Sequence, residues 1–180
     1  MRTSRTPIAG RTAALLATVL LVLGACASGP TAQAWAATVC RALGPWRADI
    51  NSLTSGTQQQ MTAQTTPAQA KENLVRLLGG AEQATEAARG KIEAAGVPDV
   101  ERGEAVAAGF LRSLTSVRDA YGRARTSIAA LPTGQPTVFY DRVKATMDTL
   151  NAEYAASALD TSGLDSRELQ RAFDEVPECR

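Results

Sequence analysis

Apolar residues recur along this chain at steps of three and four, with polar residues filling the positions between them. That is the period of an amphipathic α-helix. The first such stretch runs from Ala32 to Leu53. Trp35, Val39, Leu43, Trp46, Ile50 and Leu53 share one face of it. Gly44-Pro45 falls inside. Proline removes a backbone donor and crowds the carbonyl four residues back. The stripe keeps its phase across the proline, so the pattern predicts a kink rather than a break. Both tryptophans lie in the stripe, which assigns them to the core, with a ligand clamp as the alternative. Thr54 to Thr66 has no periodic face and is rich in Gln and Thr. It reads as a polar connection and a candidate contact segment.

The second helix is well punctuated. Thr66 suits the N-cap, Pro67 the first helical position, and Gln69 completes a Thr-x-x-Gln capping box. Its stripe is Ala70, Leu74, Leu77, Ala81, Ala84, Ala88, Ile92 and Ala95, and Gly96 with Pro98 stops it. Gly79, Gly80 and Ala81 leave little bulk at mid-helix, so a neighbouring helix can approach closely there or the helix can bend. Asp99 is the expected cap of the third helix, with Glu101 and Glu104 at its positive end. Complementing the helix dipole accounts for this acidic trio more simply than a cation site does. Val100, Gly103, Ala107, Phe110, Leu114, Val117, Tyr121, Ala124, Ile128 and Leu131 then keep a seven-residue rhythm. Such a rhythm suits antiparallel bundle packing.

Pro132 to Pro136 turns the chain into a fourth helix from about Thr137, with the stripe Phe139, Val143, Met147, Leu150 and Tyr154. Asp160 to Gly163 breaks it. A short fifth helix begins at Asp165, where Asp165 and Glu168 form a capping box and Leu164 with Leu169 a hydrophobic staple. Leu169, Phe173 and Val176 supply its apolar face, and Pro177 ends it. No stretch alternates like a strand. The predicted fold is all-α: an antiparallel four-helix bundle with a short fifth C-terminal helix.

The start of the chain follows different rules. Arg2, Arg5 and Arg11 precede an apolar run from Thr12 to Leu23, too short to span a bilayer comfortably, and Leu23-Gly24-Ala25-Cys26 closes it. This arrangement resembles the signal and lipobox of bacterial lipoproteins. The resemblance implies cleavage before Cys26 and lipidation of its thiol. An ordinary cleaved signal, or an uncleaved anchor, is the alternative. The expected organisation is a signal peptide over 1–25, a lipidated cysteine and short tether over 26–33, and the bundle over 34–180. Two acyl chains hold a protein stably on a membrane where one does not. The expected location is therefore the outer leaflet of the cell membrane, on its extracytoplasmic face.

Composition restricts what the folded part can do. Residues 1–25 carry three of the 19 basic residues and none of the 18 acids, so the remainder has a slight acidic excess. That argues against a nucleic-acid partner. Cys40 and Cys179 are the two cysteines left after Cys26. In an exported domain they are expected to pair, tying the first helix to the C-terminus. A redox-active pair is the alternative, without a Cys-x-x-Cys motif to favour it.

There is no histidine. That removes Ser-His-Asp and Cys-His nucleophilic systems and the commonest zinc ligand. No phosphate-binding glycine loop occurs. The carboxylate pairs Asp174-Glu175 and Asp141-Asp148 would need a cleft and one raised pKa to act as acid and base. No cofactor and no metal are expected.

Arg outnumbers Lys 16 to 3 and Ala is abundant. Trp35 to Trp46 with Cys40 between them, and Ala172-Phe173 followed by Cys179, resemble all-helical lipoproteins and small secreted proteins of actinobacteria. This resemblance implies export and helices and no particular chemistry. The expected function is a membrane-anchored, non-catalytic module that binds an envelope protein, peptide or ligand. A carrier of a small apolar ligand or lipid is the alternative, with Gly79, Gly80, Tyr121 and Tyr154 as its candidate ligand-binding residues. A histidine-free enzyme comes third. Cys26→Ala is expected to abolish fatty-acid labelling and release the protein from the membrane. Undiminished labelling of that variant would remove the lipidation reading.

Overall fold

A computed structural model describes residues 29–157 and 166–180. The expected signal peptide, the lipobox with Cys26, and Leu164 and Asp165 lie outside them. The chain forms α1 (Ala32–Gln60), α2 (Pro67–Ala94), α3 (Gly103–Ala129), α4 (Pro136–Ala156) and α5 (Arg167–Glu175), then a 3₁₀ turn over Pro177–Cys179. The fold is all-α, and consecutive long helices pack antiparallel as a bundle.

α1 is longer than its apolar stripe. It runs unbroken through Pro45 and continues to Gln60, so the expected connection over 54–66 shrinks to 61–66. Pro45 sits on the exposed side, where the carbonyl it leaves unpaired can be met by water. Beyond Leu53 the helix carries mainly Gln, Thr and Ser. Glutamine is a good helix former, so backbone hydrogen bonding goes on where the apolar period ends. Thr54 donates its hydroxyl to the Ile50 carbonyl at 2.8 Å, which keeps that polar side chain inside the helical pattern.

α2 begins and ends as its sequence says. Thr66 and Gln69 form the reciprocal capping box, and Gly96 takes φ +73° just beyond the C-terminus. Its buried line is Ala70, Leu74, Leu78, Ala81, Thr85, Ala88 and Ile92, with Leu77 and Ala84 only half-buried on the flank. Thr85 was missed because it is polar. Its hydroxyl accepts from Trp46 Nε1 at 2.9 Å and donates to the Ala81 carbonyl at 2.7 Å, so burial leaves it satisfied.

The expected cap at Asp99 is not used. α3 starts at Gly103, after Arg102 in the left-handed region at φ 63°. The Asp99 N–H donates instead to the Pro30 carbonyl at 2.9 Å, so the turn between α2 and α3 holds the segment entering α1. Gly103 is required there, since a Cβ would overlap the Pro98 carbonyl oxygen.

α4 departs most from expectation. Only Phe139 and Leu150 of its stripe are buried, Val143 and Met147 are half-covered, and Tyr154 is exposed. The reason is tertiary. α4 lies against α3, touches α2 slightly, and does not approach α1. Arg123 of α3 meets Glu153 near the end of α4 at 3.1 Å, so α4 covers only the half of α3 farther from the chain's entry. The near half is covered by α5, whose Phe173 stacks on Phe110 at 6.0 Å between centroids. Two short elements thus share the fourth place in the bundle. α5 starts one residue later than expected, with Ser166 Oγ as the cap acceptor for Leu169 N.

Cys40 and Cys179 form a disulfide with a Cα–Cα distance of 5.1 Å across 139 residues of sequence. It fastens the 3₁₀ turn and α5 to α1. Closing a loop longer than 100 residues removes about 4.7 kcal/mol or slightly more of unfolded-chain entropy, in the chain-entropy model.

The close approach expected at the small residues is real. A Cβ on Gly80 would lie 2.9 Å from Leu53 Cδ2, so the Leu53 side chain already fills that gap. Gly80→Leu is expected to overpack the α1–α2 contact and cost about 1–3 kcal/mol. Chemical denaturation checks this, and an unchanged midpoint would mean that the gap is open.

Candidate functional site

The four residues expected to line a ligand site do not converge. Gly80 packs on Leu53, and Gly79 faces the Arg125 side chain of α3. Gly79 lines a cleft of about 420 Å³ with Glu82, Gln83, Glu86, Arg118 and Arg125, which includes neither Gly80 nor a tyrosine. Tyr121 is buried on α3 and Tyr154 is exposed on α4, close enough to act on the Tyr121 hydroxyl. Burial, and then the neighbouring Tyr154, push the Tyr121 hydroxyl up to about 12. It stays protonated and is not poised to react.

The cleft at Gly79 is laced with ion pairs. Glu86 receives Arg89 and Arg118, each at 2.7 Å, and Arg118 also holds Asp119 at 2.7 Å. Arg125 meets Glu82 at 2.9 Å. Hydrogen bonds from Arg89 first, then Arg118, lower the Glu86 carboxyl to about 2. A general acid needs the opposite shift. Glu86–Arg118 and Glu82–Arg125 cross the outer seam of α2 and α3, the other pairs lie within one helix, and partial exposure keeps each one weak. Asp148 of the carboxylate pairs meets Lys144 at 2.6 Å on an exposed helix face. Among the described residues no three His, Cys, Asp or Glu side chains gather as metal ligands.

Two further concavities carry residues that periodicity does not reveal. One of about 400 Å³ lies between α3 and α4, with Ala120, Ala124, Ala145 and Leu150 in its walls and Arg123 and Arg142 beside them. The other, of about 360 Å³, lies where α1 passes into α2, and its wall includes Gln60, Thr62, Gln64 and Thr65. The second falls in the segment singled out from sequence as a contact candidate. The signal for it was composition, not spacing.

The largest exposed apolar side chains on α4 are Val138 at 46%, Tyr140 at 41% and Tyr154 at 41%. Tyr140 and Tyr154 are fourteen positions apart, which brings them close to one helix face. Tyr140 packs edge-on against Phe139 at 5.1 Å, so its ring is held in place while still meeting solvent.

Comparison with known families, with curated proteins and with solved structures finds no match. Among the described residues no helix is long and apolar enough to cross a membrane.

The two shifted groups set the pH profile of stability. A lowered Glu86 contributes stability above its usual 4.5 that is lost as pH falls through about 2. A raised Tyr121 contributes stability below its usual 10 that is lost as pH rises through about 12. Glu86→Gln is expected to flatten part of the acid limb and Tyr121→Phe part of the alkaline limb. Melting temperature against pH reads both, and an unaltered profile in either variant would mean that the group does not titrate as described.

Proposed function

We infer that this chain is a lipid-anchored lipoprotein of the extracytoplasmic face whose bundle binds another envelope component without catalysing a reaction. The Leu23-Gly24-Ala25-Cys26 motif behind a basic and an apolar segment supports the anchor. The disulfide supports an oxidising compartment, where such bonds persist. With Cys26 three positions before Gly29, and Gly29 packed against the α2–α3 turn, the bundle stands close to the lipid on that end.

The observation that carries the binding reading is the face of α4. Tyr140 and Tyr154 leave a large part of their rings in solvent, on a helix that buries Phe139 and Leu150 but leaves Val143 and Met147 only half-covered. Tyrosine supplies wide contact area at low entropic cost and is enriched at interfaces. What weighs against the carrier reading is Leu53, which occupies the gap a ligand would need at Gly80.

A photoreactive residue at Tyr140 or Tyr154 is expected to yield a discrete adduct with an envelope component in intact cells. The same residue at exposed Lys91, near the opposite end, should yield none. Tyr140→Ala with Tyr154→Ala should weaken capture at the remaining α4 positions, with stability changed by about 0.5 kcal/mol or less per site. Equal labelling from all positions, or none from α4, would remove this reading.

A further inference from the structure

One end of the bundle carries no charge in two separate stretches. In a chain of which 21% is Asp, Glu, Lys or Arg, residues 50–70 contain none, and residues 126–140 contain none. The first stretch holds the end of α1 and the start of α2, and the second the end of α3 and the start of α4. Antiparallel packing brings both to the end opposite Gly29. Lys71, just past the first stretch, stitches them by donating to the Leu131 carbonyl at 3.0 Å. Protein surfaces ordinarily intersperse both signs of charge, and depletion of charge marks surfaces that make contact. Val138 and Tyr140 are exposed at this end.

The 360 Å³ concavity lies in this cap, and its chemistry selects the ligand. Its wall is entirely polar: the amides Gln60, Gln64, Gln69 and Asn73, the hydroxyls Thr62 and Thr65, and Glu72. Three of the amides spend their oxygens inside the protein. Arg76 donates to Gln60 Oε1 and to Asn73 Oδ1, each at 3.3 Å, and Thr66 N–H donates to Gln69 Oε1 at 2.9 Å. An amide so engaged keeps its NH₂ group as an unused donor. The wall therefore offers several NH₂ donors, the Gln64 amide and one carboxylate acceptor. An anion would meet Glu72, while the neighbouring cation, Arg76, is engaged with Gln60 and Asn73. A metal ion would find a single carboxylate. A polyol matches, because every hydroxyl both accepts and donates.

We propose that this charge-poor cap is a binding site for an uncharged glycan, whose hydroxyls pair with the amide and carboxylate groups of the concavity. The proposal rests on the binding-module reading above and names the ligand class. Tyr140 adds an exposed ring at the same end, a surface on which the apolar face of a sugar can stack.

The test is affinity electrophoresis of the detergent-solubilised full chain through native gels containing dextran, mannan or galactan, with alginate as the anionic comparison. At least one neutral polysaccharide should retard the protein and alginate should not. Added NaCl should leave the retardation unchanged, since no ion pair is made. The double variant Gln64→Ala, Asn73→Ala should raise the dissociation constant at least about tenfold, which is about 1.4 kcal/mol. Arg142→Gln, on α4 outside the concavity, should not. Circular dichroism and melting of each variant separate lost binding from lost fold.

Absence of retardation by every neutral polysaccharide, retardation by alginate alone, or equal retardation of the double variant overturns the proposal. If the gels fail while photoreactive residues at Tyr140 and Tyr154 capture an envelope protein, the glycan assignment falls and the binding-module reading stands. If both fail, both readings fall.

Discussion

The indole of Trp35 is the contact on which the packing of this bundle turns. The backbones of α1 and α3 do not come close, so something must bridge them. Trp35 does so from a fully buried position. Its ring meets Phe110 of α3 edge-on at 5.4 Å and Phe173 of α5 edge-on at 6.1 Å. Its Nε1–H donates to the Gly96 carbonyl at 2.9 Å, satisfying the polar atom that burial would otherwise leave costly, and fixing the end of α2. One side chain of α1 thereby touches α3, α5 and the turn that follows α2. α5 depends on this cluster. A nine-residue helix is marginal alone, and it is held here by Leu169, Ala172, Phe173 and the nearby disulfide.

The rest of the packing follows from small residues and from two distinct kinds of polar contact. Gly79, Gly80 and Ala81 let α2 lie close to its neighbours, and Leu53 enters the space at Gly80. Inside, the Trp46–Thr85 hydrogen bond fixes how α1 and α2 align along their length. Outside, Glu82, Glu86, Arg118 and Arg125 pair across the seam of α2 and α3. The inner bond matters more per contact, since either partner left alone would be a buried unsatisfied group. Among the described residues every buried side-chain nitrogen and oxygen has a partner.

This arrangement gives the molecule two unlike ends. The entry end holds the segment from Gly29, the α2–α3 turn, the aromatic cluster and the disulfide, and Asp99, Glu101, Arg102 and Glu104 lie about it. The far end carries two long stretches without charge and offers hydroxyls, amides, the Glu72 carboxylate and the Tyr140 ring. The disulfide-closed end and the charge-poor end therefore differ in their chemistry. The ion-paired flank between them suits neither acid–base chemistry nor ligand capture, because its charges already satisfy one another.

The sequence by itself determined the all-α class, the capping box at Thr66, the stop at Gly96, nearly all of the buried face of α3 and the pairing of Cys40 with Cys179. Each of these is local or arithmetical: a cap needs residues three apart, a stripe needs its period, and Cys40 and Cys179 are the two cysteines among the described residues. The tertiary structure decided what depends on neighbours. It extended α1 to Gln60, because backbone hydrogen bonds do not require an apolar face. It moved the start of α3 from Asp99 to Gly103, because the chain turns through Arg102 in the left-handed region before the helix begins. It left Tyr154 exposed, because α4 and α5 divide one place in the bundle and α4 has a neighbour on one side only. It buried Thr85 because Trp46 offered a donor. The concavity at Gln64 was legible only as a polar segment, since amides recruited from α1, the connection and α2 become one wall only when antiparallel packing sets those helices side by side.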